Sequence, residues 1–97
     1  MKNSFIQFKL PVSIIKESKK FVAYSPALDL STSGNSIKQA QSRFEEAVDI
    51  FFEEIIEKGT LSKVLTNLGW KQIKMKWTPP TIVEQKNQNV KVRVNAC

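Results

Sequence analysis

The sequence predicts an α+β protein, with a three-stranded antiparallel meander first and a long helix packed on it. Three observations carry that prediction. Residues 5–32 hold three stretches of alternating or β-branched apolar residues separated by short polar or proline-containing links. Residues 37–56 then switch to helical spacing, with an apolar residue every three or four positions. Beyond residue 70 the alternation returns. With 97 residues the chain has the length of a single domain, expected as one unit over 1–97 with a core in 4–70 and a strand extension in 71–97.

The first strand is expected over residues 5–15, with Ile6, Phe8, Leu10, Val12 and Ile14 on one face. Pro11 lacks an N–H and argues for an edge or a bulge there. "KESKK" (16–20) reads as the hairpin turn, and "FVAYS" (21–25) as the second strand, with Tyr24 facing outward. Pro26 interrupts it. "LDLST" (28–32) gives a third strand, and Gly34 ends the sheet.

Ser36 followed by Gln39 is a capping-box pattern. Ile37, Ala40, Phe44, Ala47, Val48, Phe51, Phe52, Ile55 and Ile56 form the stripe that should lie on the sheet. Gly59 suits the residue just past a helix C-terminus. Thr60 should cap a short second helix with Leu61, Val64, Leu65 and Leu68 inward, ended by Gly69. Trp70 is expected as a plug between that helix and the sheet. "KQIKMKW" (71–77) should form a strand with Ile73, Met75 and Trp77 buried and its lysines in water. "TPP" breaks the chain, and "TIVEQ" and "VKVRV" are expected as strands flanking a "KNQN" turn.

Composition limits the chemistry. There is no histidine and one cysteine, Cys97, so neither a zinc cluster nor a Ser–His or Cys–His nucleophile is expected. No disulfide can form within the chain, and no signal peptide is recognisable, which points to the cytoplasm. No stretch approaches the ~18 apolar residues of a membrane span. Outside the long helix the only carboxylates are Glu17, Asp29 and Glu84. A magnesium-dependent hydrolase needs several converging on the metal, so neither metal nor cofactor nor catalytic residue is expected. Asp29 is read instead as an exposed strand residue or a local acceptor for backbone N–H groups.

The net charge of +6 is uneven. Residues 37–58 carry three basic and six acidic side chains, and the rest of the chain carries twelve basic and three acidic ones. Lys71, Lys74, Lys76, Lys91 and Arg93 are therefore candidate nucleic-acid contacts. The valine-rich terminal strand more readily pairs with a second subunit through an edge, giving a homodimer or tetramer.

"FVAYSPALDLSTSGNSIKQAQSRFEEAVDIFFEEII" resembles the HicB antitoxin family, through Tyr24, Pro26, Leu28, Gly34, Ser36, Ala40, Glu46 and Ala47. Ser25 stands where that family commonly has cysteine. The resemblance covers about residues 4–70 and implies a partial RNase H-like fold without its metal site. It also implies a non-enzymatic role in a type II toxin–antitoxin system, masking a HicA-like mRNA-cleaving toxin. Many members of that family carry a C-terminal DNA-binding domain, and none is expected in residues 71–97. The expected contact region is Tyr24, Ser25, Asp29, Ser31 and Ser33, with Glu46, Asp49 and Glu53 as an alternative dock for a basic toxin. The alternative is a basic nucleic-acid-binding or regulatory module of the same fold, and a degenerate RNase H-type enzyme ranks third.

Overall fold

The computed structural model describes residues 8–95. Phe5, Ile6 and Gln7 of the predicted first strand lie outside the described residues, as does Cys97. The elements in chain order are β1 (Ser13–Glu17), β2 (Lys20–Ser25), β3 (Leu30–Gly34), α1 (Ile37–Glu57), α2 (Leu61–Asn67), β4 (Lys71–Ile73) and β5 (Lys76–Thr78). The predicted α+β class is the one observed: a three-stranded antiparallel sheet, a long helix, a short helix and two C-terminal antiparallel strands.

β2 is the middle strand. Ile14 and Thr32 flank Ala23, and Lys16 and Gly34 flank Phe21. Directly opposed residues share a face, so Ile14, Phe21, Ala23, Ser25 and Thr32 lie on the side that α1 covers. Ala23, Ala40 and Phe44 are buried there, and Phe21, Leu30 and Val48 pack around them. A small residue at the sheet centre lets the helix approach closely. Gly34 shows the same demand at its limit. A Cβ on Gly34 would stand 2.7 Å from the Ala40 backbone nitrogen, inside van der Waals contact. Gly34 is thus the last residue of β3 and the seat of the first turn of α1. Two side chains stitch that junction: Thr32 Oγ1 donates to the Ala40 carbonyl at 2.9 Å, and Arg43 Nη1 to the Ser33 carbonyl at 2.9 Å.

The helix ends follow their local chemistry. Gln39 N–H donates to Ser36 Oγ at 3.0 Å, and Gln39 Oε1 accepts from the Asn35 N–H at 2.6 Å, a capping box displaced by one residue. At the C-terminus Gly59 adopts φ 67°, its N–H donating to Ile56 and that of Thr60 to Ile55. This is a Schellman ending, which satisfies carbonyls that the helix leaves orphaned. α2 ends the same way: Gly69 has φ 93°, and the Gly69 and Trp70 N–H groups donate to Thr66 and Leu65. That turn aims Trp70 into the core. Its indole N–H reaches the Ala27 carbonyl at 2.7 Å, joining the end of α2 to the turn between β2 and β3. The rings of Phe8 and Phe52 pack around the indole at 5.1 and 6.2 Å. The expected plug is therefore in place.

Several expectations need correction. Residues 8–12 form no strand, and the ladder of β1 begins only at Ser13, two residues past Pro11. The first turn is correspondingly tighter than "KESKK": Glu17 pairs with Lys20, leaving Ser18 and Lys19 as the loop, with Ser18 at φ 55°. Residues 28 and 29 belong to the turn before β3, where Leu28 is buried in the core. Thr60 makes no side-chain cap on α2, because its hydroxyl turns back to the Ile55 carbonyl at 3.4 Å. The single strand 71–77 is instead a hairpin. Lys74 and Met75 both take positive φ, as a two-residue primed turn requires. Met75 and Ile73 then point into water and only Trp77 packs on the core. The predicted strands at 81–85 and 90–94 are absent, and those residues are exposed and outside any regular element. At the ends of the α1 stripe, Ile37 and Ile56 are also exposed.

Candidate partner-binding surface

Among the described residues, no element packs on the face of the sheet opposite α1. Strand alternation sends Val22 and Tyr24 there, and the register adds Ile15 and Ser33 beside Val22, and Ser13 and Ser31 beside Tyr24. The result is a short apolar row, Ile15–Val22, next to a phenol and a line of hydroxyls. Ile15, paired with Val22 in the ladder, is 45% exposed.

Tyr24 and Asp29 form the only side-chain pair on this face among the described residues. The tyrosine hydroxyl donates to Asp29 Oδ1 at 3.2 Å. Asp29 sits at φ 50°, a left-handed conformation that aspartate tolerates better than most residues. That turn lifts its carboxylate back over the end of β2. The hydrogen bond to Asp29, then slight desolvation and the nearby negative charge, hold the Tyr24 phenol above its ordinary pKa of 10.0. The phenol therefore stays protonated and keeps donating. The pair presents a fixed acceptor and an aromatic edge to a partner.

Ser25 does not belong to this surface. It alternates to the helix side, is fully buried, and its Oγ has no hydrogen-bond partner among the described residues. Of the expected contact residues, Tyr24, Asp29, Ser31 and Ser33 are brought together, and Ser25 is separated from them by the thickness of the sheet. Glu46, Asp49 and Glu53 are exposed on α1, on the other side of the sheet. They make a second surface rather than an extension of the first. Nearby Glu54 is held below its ordinary pKa by Lys58, whose Nζ lies 2.7 Å away.

The basic candidates also divide. Lys71 and Lys76 lie on the open face of the β4–β5 hairpin beside Ile73, and Lys74 occupies its turn. Lys91 and Arg93 are on the exposed tail, outside any ladder. Among the described residues no three His, Cys, Asp or Glu side chains gather as metal ligands, and no helix is long and apolar enough to cross a membrane.

One feature escaped the sequence reading. Residues 8–12 run beside α1 and leave an open groove of about 670 Å³ between them. Its lining is Phe8, Leu10 and Val12 on one wall, with Gln41, Phe44, Glu45, Val48 and Asp49 on the other. Pro11 was the one signal for it, because a residue without an N–H ends a ladder. Comparison with family models, with curated proteins and with solved structures finds no match.

Proposed function

We propose that this chain is a non-enzymatic binding protein of the HicB-like antitoxin type, which neutralises a small basic mRNA-cleaving toxin by burying its surface. The reading rests on the resemblance over residues 4–70, and the observation that carries it furthest is the bare outer sheet face. Sheets that leave one face in water usually make that face polar. Here Ile15, Val22 and Tyr24 interrupt the polar pattern beside Asp29, Ser31 and Ser33. An apolar centre with a polar rim suits a protein partner. The acidic residues Glu46, Asp49 and Glu53 offer a second dock to a basic toxin. The reading includes a homodimer or tetramer in the cytoplasm.

Co-expression with a HicA-type toxin tests it. The chain should restore growth and co-purify with the toxin. Val22→Lys with Tyr24→Ala should abolish both while leaving the fold intact by circular dichroism. Failure of the unaltered chain to bind or rescue would sink the reading.

A second reading, a nucleic-acid-binding module, is favoured by one observation: Lys71, Lys74 and Lys76 gather on one exposed hairpin. Its affinity for RNA or DNA would have to fall steeply with salt and with Lys74→Glu and Lys76→Glu.

A further inference from the structure

Among the described residues the groove beside α1 and the C-terminal tail are both left open, and their chemistries match. The tail segment Val90–Lys91–Val92–Arg93–Val94 alternates valine with a cation. Its valines are 72–79% exposed and it belongs to no ladder. The groove has an apolar floor, including Phe44 and Val48, and two carboxylates on its rim, Glu45 and Asp49. Both pairs on the helix are four residues apart. Four residues of helix advance about 6 Å, and two residues of strand advance about 6.6 Å. An extended chain lying along α1 therefore sets successive valines at the spacing of Phe44 and Val48. The same chain sets Lys91 and Arg93 at the spacing of Glu45 and Asp49. The opposite wall, residues 8–12, belongs to no ladder, and apart from Pro11 its residues keep backbone N–H groups that an added strand could use.

The geometry points to exchange of C-terminal tails between two copies of this chain, residues 90–94 of each filling the groove between residues 8–12 and α1 of the other. A chain's own tail is not the occupant here, since it stands in solvent while the groove is open. The exchange is reciprocal and closes as a symmetric dimer. Burying the valines and the floor supplies the affinity, and the two cation–carboxylate pairs set direction and register. The inference rests on the homo-oligomer part of the proposed function and is independent of the toxin.

Charge exchange tests it by sedimentation of the full chain at micromolar concentration. Lys91→Glu with Arg93→Glu should weaken self-association by roughly tenfold or more, because each reversed pair occurs twice in the dimer. Glu45→Lys with Asp49→Lys should do the same. A chain carrying all four changes should return to within about threefold of the original, since the ion pairs are restored in reverse. Val90→Ser, Val92→Ser and Val94→Ser together should leave a monomer. A dimer that ignores all these changes overturns tail exchange and leaves the homo-oligomer reading standing. An unaltered chain that is monomeric overturns both. Weakening by both charge sets without recovery in the combined chain overturns the register.

Discussion

Residues 21–25 and 90–94 have nearly the same pattern and opposite fates. "FVAYS" is the centre of a sheet with Ala23 fully buried, and "VKVRV" lies bare with its valines in water. By strand propensity the two are comparable, each with three strongly strand-favouring residues. The difference is what each meets. Residues 21–25 have a neighbour on both sides and Phe44 of α1 above them, whereas residues 90–94 follow Pro79 and Pro80 out of a two-stranded hairpin. β-propensity is a preference for a pleated, half-buried surface, and it is realised only where such a surface exists.

The sharpest way to break this comparison is to remove what covers the first segment. Phe44→Ala, at a site 5% exposed, should cost about 3–5 kcal/mol in urea unfolding. Val92→Ala, measured on the dilute monomer, should cost less than about 0.5 kcal/mol. Equal costs would mean that the tail packs in the folded monomer. Gly34→Ala drives a Cβ into the backbone at Ala40 and should destabilise by about 1–3 kcal/mol. Trp70→Phe keeps an aromatic side chain but removes the indole N–H and orphans the Ala27 carbonyl, at a cost of about 1–3 kcal/mol.

Smaller effects sharpen the two sides of β2. Ser25→Ala should be neutral or stabilising by up to about 1 kcal/mol, because a buried hydroxyl without a partner is removed. A clear loss of stability would reveal a partner for that hydroxyl. Ser25→Cys, the residue usual in the resembling family, should also be tolerated. On the outer side, the folded state holds the Tyr24 proton more tightly than the unfolded chain does. Its contribution is thus complete below pH 10 and disappears as pH rises through the folded value. Tyrosinate absorbance in the folded protein should therefore appear at higher pH than in Asp29→Asn. Coincident titrations would show that the hydrogen bond does not persist in solution.

The readings that succeeded were those whose chemistry is local. Ser36 with Gln39, Gly59 and Gly69 announce helix ends because a cap needs only residues within one turn. Trp70 was placed correctly, yet its partner was not, since Ala27 lies 43 residues away. The Lys74–Met75 turn carried no glycine or asparagine to mark it, so its positive φ angles are imposed by the hairpin rather than announced by composition. Of the candidate surface, Tyr24, Asp29, Ser31 and Ser33 were legible from alternation and turn chemistry. Ser25 was grouped with them as part of the resembling stretch, although alternation sets it opposite Tyr24, and β2's central position buries it.

The sequence alone determined the class, the order of sheet and helices, the helix ends and the side of β2 on which Tyr24 stands, because these follow from period, capping and alternation along the chain. Tertiary structure decided where β1 begins, which face of the sheet the described residues leave bare, that a groove opens beside α1, and that residues 90–94 pair with nothing among the described residues. Each of those depends on what a segment finds opposite it in space, and a strand, unlike a helix, cannot satisfy its backbone by itself.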